Sequence, residues 1–183
     1  MITKTPVEFI KDALKGEQVL QKRTCLKDLQ SMYKDSEAVT TLAPDTVLYN
    51  VEAYLPVPEG TTAGLFFGIT KINPGQVGNE YYFTRGHFHE LPDRGEFYWG
   101  IEGEGMLILM DEQRNCRAEK MYPGSLHYIP GHTAHRVANT GQTILSFGAC
   151  WPSDAGHNYK EIMDNGFSAR LLNIDGEATL VIP

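Results

Sequence analysis

Cysteine is scarce in this sequence, and its spacing excludes two classes of protein. The three cysteines, Cys25, Cys116 and Cys150, make an odd number, lie far apart and form no CxxC pair. Disulfide scaffolds use even sets of cysteines, and thiolate zinc sites use closely spaced pairs. We therefore expect a cytoplasmic protein with reduced thiols, in which Cys116 and Cys150 are small hydrophobic strand residues.

Excess positive charge and long apolar runs are also lacking. The 16 basic residues are outnumbered by 23 acidic ones, for a net charge of -7. This balance offers no basic surface for nucleic acid and no polybasic segment for a membrane. No run approaches the roughly 18 apolar residues of a spanning helix, and the N-terminus has no signal-peptide core. We expect neither partner class, and an anionic substrate would need a local set of donors.

The sequence after Val47 has the texture of antiparallel strands. Short runs of β-branched and aromatic residues alternate with turn signals such as Asn-Pro-Gly at 73–75 and Pro-Gly at 123–124. Several short strands without alternating helices are typical of jelly rolls and barrels. The clearest strands are predicted at 105–110, 116–121, 125–129 and 143–149. The 42% of apolar residues can form one core, so we predict a single all-β domain over 1–183.

Two short helices are predicted before the strands. Thr5-Pro6-Val7-Glu8 resembles a capping box with proline at the first helical position, and Gly16 is a natural stop. These signals predict a helix over 6–15. A second helix is predicted from about Leu26 to Tyr33. Both would lie at one end of the barrel.

Four ligand-type residues follow one another in the middle of the chain. His87 and His89 alternate with Phe88, so on a strand their rings would share one face, about 7 Å apart. Glu96 follows the Asp93-Arg94-Gly95 turn, and His135 lies on a later hairpin. Three imidazoles and one carboxylate leave two open positions on an octahedral ion, which suits iron, manganese or nickel at least as well as zinc.

The order of these ligands resembles the two-motif pattern of the cupin superfamily. Segment 87–103 gives HxH, then Glu96, then Gly103, and segment 124–139 gives Gly124, Pro130, His135 and Asn139. Two features depart from the pattern: six residues separate His89 from Glu96, and His132 stands where the pattern has glycine. Neither departure removes a ligand. The resemblance implies a double-stranded β-helix, the jelly-roll barrel of cupins, with its core at about 45–170.

Three further stretches resemble the cupin-type glucose-6-phosphate isomerases. They are Tyr82-Phe-Thr-Arg-Gly-His-Phe-His89, Asp93-Arg-Gly-Glu-Phe-Tyr98 and Pro152-Ser-Asp-Ala-Gly-His-Asn-Tyr159. The last stretch is the most discriminating, because general cupins have no reason to carry it. The resemblance implies a homodimer that interconverts glucose 6-phosphate and fructose 6-phosphate with one divalent metal ion, Fe²⁺ first, with Mn²⁺, Ni²⁺ or Zn²⁺ as alternatives.

The resemblance also implies roles for individual residues. Glu96 would carry the proton between C2 and C1, with a metal-assisted hydride shift as the rival mechanism. Tyr98 and His157 would lie near the sugar; alternatively, Tyr98 only packs the barrel and His157 caps a loop. The phosphate would be bound by neutral donors, namely Tyr49, Thr70, Thr84, the Gly86 backbone and Tyr159. Arg85, where the family often has lysine, is left unassigned.

Two other functions compatible with the ligand set stay open. Three histidines, one glutamate and open positions also suit an iron-dependent dioxygenase. A non-catalytic phosphosugar-binding cupin would use the same pocket without turnover. His127 and His132 fall outside the ligand positions and are interpreted as strand or surface histidines. Trp99 and Trp151 are expected in the core or a pocket wall.

Overall fold

The computed structural model describes residues 1–182 and is dominated by antiparallel strands. Within this range the strands are β1 Glu8–Ile10, β2 Ala13–Lys15, β3 Val19–Cys25, β4 Val47–Tyr54, β5 Leu65–Ile72, β6 Gln76–Val77, β7 Glu80–Tyr81, β8 Glu96–Glu102, β9 Gly105–Asp111, β10 Cys116–Met121, β11 Leu126–Ile129, β12 Thr133–Asn139, β13 Leu145–Pro152, β14 Arg170–Ile174 and β15 Glu177–Val181. The α-helices are α1 Ser36–Thr40 and α2 Lys160–Asn165.

Two sheets enclose the main core. Six strands form one sheet in the order β11-β8-β13-β5-β4-β3, and the second has the order β10-β9-β12. Isolated bridges from Phe83 to Ala138 and from His87 to His135 attach the segment between β7 and β8 to the second sheet. One cluster of buried side chains joins both sheets, including Ile72 from the first and Leu107 from the second. The prediction of an all-β cupin fold is confirmed.

The strand β9 shows why this sequence forms a two-layer core. It pairs with β10 on one side and β12 on the other, so it has no free edge. Leu107, Ile108, Leu109 and Met110 are all at most 2% exposed. A continuous apolar run is expected where both faces of a strand are covered. The predicted strands at 105–110 and 116–121 are confirmed, and those at 125–129 and 143–149 correspond to β11 and β13.

The prediction of a helix over 6–15 is wrong, because β1 and β2 form a hairpin there. Glu8 pairs with Lys15, and Lys11 takes a positive φ of 58° in the turn. Leu14 is the only core residue of this segment, and Phe9 and Ile10 are exposed. The Leu14 N–H instead donates to the Glu52 carboxylate of β4, at 2.7 Å.

The second predicted helix, from Leu26 to Tyr33, is replaced by two 3₁₀ turns at Leu26–Asp28 and Gln30–Met32. Leu26 and Leu29, three residues apart, are each 1% exposed, and this spacing matches the three-residue repeat of a 3₁₀ turn. The short helix α1 follows them, with the Asp35 side chain accepting from the Ala38 N–H at 2.8 Å. The strand β3, which precedes these turns in the chain, is part of the six-stranded sheet, so the sheet begins before Val47.

Among residues 1–182, no helix has the length and apolarity needed to cross a membrane.

Candidate metal centre

The four predicted metal ligands come from three separate parts of the fold. His135 lies within β12, and Glu96 is the first residue of β8. His87 and His89 lie in the segment between β7 and β8, which is held by isolated bridges from His87 to His135 and from Phe88 to Asn158. The sequence predicted that this histidine pair lies on a regular strand, and that prediction is wrong. The ring centroids of the pair lie 5.5 Å apart, closer than expected for an ideal strand.

The ligand atoms of these residues converge on one point. All four lie within 4.8 Å of one another. Glu96 Oε1 is 2.6 Å from His135 Nε2 and 3.2 Å from His89 Nε2. Glu96 Oε1 and His135 Nε2 are nevertheless buried, and neither has a hydrogen-bond partner in the part of the chain that the structure describes. Buried polar atoms are normally paired, so these orphaned atoms indicate that the cluster fits a cation between them.

The outer nitrogens of two ligands are fixed by backbone carbonyls. The His89 Nδ1–H donates to the Arg94 carbonyl at 2.7 Å, and the His135 Nδ1–H donates to the Thr133 carbonyl at 3.3 Å. In the neutral rings this arrangement leaves each Nε2 with a lone pair directed at the cluster, as in many histidine metal sites. Nitrogen and oxygen ligands of this kind fit a divalent first-row metal ion.

Electrostatics favour the ligand forms of His87 and Glu96. Burial, and then the charges of the neighbouring histidines, lowers the pKa of His87 well below its ordinary value. Burial would raise the pKa of Glu96, but His135 and His89 together lower it to about 2. A neutral imidazole and an ionised carboxylate are the species that coordinate metals.

A cavity of about 280 Å³ opens beside His87, Glu96 and His135. Its wall includes every residue that was predicted to bind the sugar or the phosphate, namely Tyr49, Thr70, Thr84, Gly86, Tyr98, His157 and Tyr159. These residues come from β4, β5, β8 and the segments 84–86 and 157–159. The structure thus brings together residues separated by more than a hundred positions in sequence.

Aromatic rings line the cavity beside the ligands. The Tyr98 ring meets His135 edge-on at 5.6 Å, and burial followed by the charge of Glu96 raises its pKa well above the ordinary value. The His157 ring lies 4.5 Å from His87 and stacks on Tyr159 at 5.5 Å. Burial lowers the pKa of His157. At neutral pH, Tyr98 therefore keeps its proton and His157 is uncharged.

The segment carrying His157 is tied to the ligand segment by an ion pair. Arg94 Nε and Nη2 donate to the two Asp154 carboxylate oxygens at 3.0 and 2.8 Å. The Leu91 N–H also donates to the Ala155 carbonyl at 3.0 Å. Arg94 thus fixes His89 through its carbonyl and Asp154 through its guanidinium. Bidentate arginine pairs of this kind hold a defined geometry.

The remaining histidines lie outside the cluster, as predicted. His127 is buried, with Nδ1 2.8 Å from Glu119 and Nε2 3.0 Å from Ser125. His132 is exposed at a turn with φ of 59° and contacts Glu112 and Asp93. This positive φ explains why the cupin pattern has glycine at the position.

The part of the cavity wall that β3 forms was not predicted from the sequence. Lys22 and Thr24 of β3 line it, and their alternation on one strand face is the only signal that the sequence offered. Trp151 also lines it, as expected for a pocket-wall aromatic. Arg85, left unassigned from sequence, lies 5.4 Å from the Tyr159 ring and donates to the Asp28 carbonyl at 3.2 Å.

Comparison with known proteins gives a consistent result. The model of the family described as Glucose-6-phosphate isomerase (GPI) matches residues 22–181. A glucose-6-phosphate isomerase of Thermococcus kodakarensis is 41% identical over 157 residues, which are 85% of this chain and 82% of that protein. One from Pyrococcus horikoshii is 36% identical over 177 residues, 96% of this chain and 92% of that protein.

Among solved structures, the chain resembles an oxalate decarboxylase of Bacillus subtilis at a TM-score of 0.47 and 18% identity, over 60% of this chain and 26% of that one. The family match rests on sequence and is far more extensive, since it covers most of the chain and includes all four clustered ligands. The chain belongs to the glucose-6-phosphate isomerase (GPI) family.

Proposed function

We propose that this chain interconverts glucose 6-phosphate and fructose 6-phosphate with the help of one divalent metal ion. The observation that carries the proposal is the convergence of His87, His89, Glu96 and His135 beside a cavity lined by hydroxyl groups, in a chain of this family. We propose Fe²⁺ as the ion, with Mn²⁺, Ni²⁺ or Zn²⁺ as alternatives that the same donors accept. When bound, the ion would supply positive charge to orient and polarise the sugar oxygens.

Aldose–ketose conversion needs a base that moves a proton between C2 and C1. We assign this role to Glu96, because its carboxylate is ionised and lines the cavity. Tyr98 stays protonated and is suited to donate to the oxyanion that develops on the sugar. His157, uncharged and stacked on Tyr159, is suited to hold or relay a proton at a sugar hydroxyl. A hydride shift remains the alternative mechanism.

The phosphate of the substrate is assigned to neutral donors that line the same cavity. The Thr84 hydroxyl oxygen accepts from the Val137 N–H at 3.0 Å, which leaves its proton free for a phosphate oxygen. Within residues 1–182, the Gly86 N–H donates to no acceptor. Tyr49, Thr70 and Tyr159 complete the set. Neutral donors solve the problem that a net charge of -7 poses for an anionic substrate.

We further propose that residues 1–183 form one cupin domain, that the protein acts in the cytoplasm and that it is a homodimer. The family resemblance supports these points. Gel filtration combined with light scattering measures the molecular mass, and a mass near 20.5 kDa would contradict the dimer.

A coupled isomerase assay on protein loaded separately with Fe, Mn, Ni or Zn tests the function. Turnover with at least one metal is expected, and no turnover with any of them would refute the proposal. Glu96→Gln should lower kcat by at least about a hundredfold. Glu102→Gln, an exposed change on the same strand, is the matched control and should keep full activity. Metal content is measured in each variant, so that a lost ion is not mistaken for a lost base.

The alternatives give different results in the same experiments. A dioxygenase would consume oxygen with an enediol substrate and show no isomerisation. A non-catalytic binding protein would bind the sugar phosphate equally well in the wild type and in Glu96→Gln, with no turnover in either.

A further inference from the structure

A second cavity lies behind the metal centre. Its volume is about 230 Å³, and Arg136, Arg170 and Phe167 are among the residues that line it. Arg136 follows the metal ligand His135 on β12, so the two side chains point to opposite faces of that strand. None of the four metal ligands lines this second cavity. At roughly 30 Å³ for each water molecule, it has room for a hydrated oxyanion.

Arg136 is a buried charge without an acceptor. The residue is 6% exposed, and among residues 1–182 its buried Nε has no hydrogen-bond partner. The guanidinium is stacked between the rings of Phe83 and Phe167, with its central carbon 4.6 and 3.9 Å from their centroids. Stacking stabilises the cation but accepts none of its N–H groups. An arginine stays protonated in proteins, so its buried charge and its unpaired Nε–H call for an anion.

The acidic residues around the cavity are already engaged. The Arg170 Nη1 donates to both Glu80 oxygens at 2.9 Å, and the Lys34 N–H also donates to Glu80. Asp164, at the cavity rim, is exposed and paired with Lys160. Within the described residues 1–182, Arg136 therefore has a positive charge with no ion-pair partner.

We infer that this cavity is a binding site for a phosphate-class oxyanion, separate from the site of the isomerase reaction. A tetrahedral anion with several oxygens can accept hydrogen bonds from two guanidinium groups at once. A carboxylate has two oxygens, and a single guanidinium already engages both of them. Arg136 and Arg170 both line the cavity, where Arg136 supplies its guanidinium and Arg170 the N–H groups that Glu80 does not engage. The ligand is either free inorganic phosphate or the phosphate group of a metabolite.

The site lies directly behind the segment that carries Gly86. A Cβ at Gly86 would come within 2.9 Å of the Phe167 ring and 3.0 Å of the Arg136 Cβ. The wall that sandwiches Arg136 therefore also supports the backbone assigned to the substrate phosphate. The inference itself rests only on the buried arginine and its cavity, and it stands whether or not the chain is an active isomerase.

Calorimetric titration of metal-loaded protein with inorganic phosphate tests the inference. Arg136→Met should remove one phosphate per chain from the measured stoichiometry. Arg136→Lys keeps the charge and loses the fork, so it should weaken that site about tenfold. Arg117→Met removes the same charge from an arginine whose side chain is 57% exposed on β10, and it should change nothing. Circular dichroism checks that each variant is folded.

The outcomes separate the site from general charge effects and from the metal centre. Identical phosphate binding in the wild type and in Arg136→Lys would overturn the inference even if Arg136→Met fails to fold. An equal loss in Arg117→Met would also overturn it, as would displacement of phosphate by acetate. Competition with glucose 6-phosphate then identifies the source: loss of the Arg136-dependent phosphate supports a phosphate monoester ligand, and its retention supports free inorganic phosphate.

Discussion

Replacing Gly86 by alanine should destabilise the protein far more than replacing Gly124. Both glycines have a positive φ, 76° at Gly86 and 89° at Gly124. A Cβ at Gly86 would lie 2.9 Å from Phe167 and 3.0 Å from both Arg136 and the His135 carbonyl, whereas a Cβ at Gly124 meets nothing within 4 Å. Left-handed backbone costs an alanine about 1–2 kcal/mol at either position.

Only Gly86→Ala adds overpacking, which costs about 1–3 kcal/mol more. We therefore expect a loss of about 2–5 kcal/mol in the free energy of unfolding for Gly86→Ala and of about 1–2 kcal/mol for Gly124→Ala. Because Gly86 directly precedes His87, the first variant should also retain less metal as purified. Gly124→Ala should retain all of it.

Urea unfolding measures the difference in the free energy of unfolding between the two variants. The proteins are used metal-free, so that metal binding does not contribute to the measured stability. The midpoint should fall without a change in the slope of the transition. In a thermal scan each kcal/mol should lower Tm by about 2–4 °C. Equal destabilisation by the two changes would refute the close approach at Gly86 and leave backbone conformation as the whole cause. Gly60→Ala, with φ of 84° and nothing within 4 Å, is a second control.

Three further predictions concern the site. Arg94→Lys should lower kcat about ten- to hundredfold with metal content unchanged, because it breaks the two-point contact to Asp154 that positions His157. Thr84→Ala should raise KM for the sugar phosphate with a smaller effect on kcat. Burial lowers the pKa of His89, but the adjacent Glu96 outweighs it and the net shift is upward. Metal must then displace a proton, so apparent metal affinity should rise about tenfold per pH unit from pH 6.5 up to that raised pKa.

Each of these has a clear contrary result. Unchanged kinetics in Arg94→Lys would show that the ion pair has no positioning role. An unchanged KM in Thr84→Ala would place the phosphate elsewhere. As the pH rises through the pKa of His89, the stability of the metal-free fold should fall while the metal affinity rises. The raised pKa stabilises the metal-free fold fully below pH 6.5, and this contribution is lost as pH rises through the folded value. A metal affinity that is flat across this window would contradict the assignment.

The order of short motifs was sufficient to predict which residues cluster. His87, His89, Glu96 and His135 were all identified from their order in the chain, and the structure brings their ligand atoms within 4.8 Å. Strand alternation and turn signals likewise predicted β9 and β10 at nearly their observed bounds. His87, His89 and Glu96 follow one another at steps of two and seven residues, a range that sequence patterns describe directly, and His135 was identified from its place in a second motif.

The N-terminal region shows where local signals fail. The capping box at Thr5 is a real helix-start pattern, yet the chain forms a hairpin there. The decisive contact is the Leu14 N–H to Glu52, which lies 38 residues away. Tertiary contacts of this kind override weak local propensities, because a helix of about ten residues gains little from forming alone.

The sequence by itself determined the all-β class, the family and the four residues that cluster, because strand texture and short motifs are local features of the chain. Only the tertiary structure decided which other side chains lie around the four clustered residues. It placed Lys22 of β3 in the cavity, joined Arg94 to Asp154 across 60 residues, and buried Arg136 between two phenylalanine rings. Such contacts arise when two sheets close on one another, and their energy comes from burial and pairing between residues that are distant in the chain.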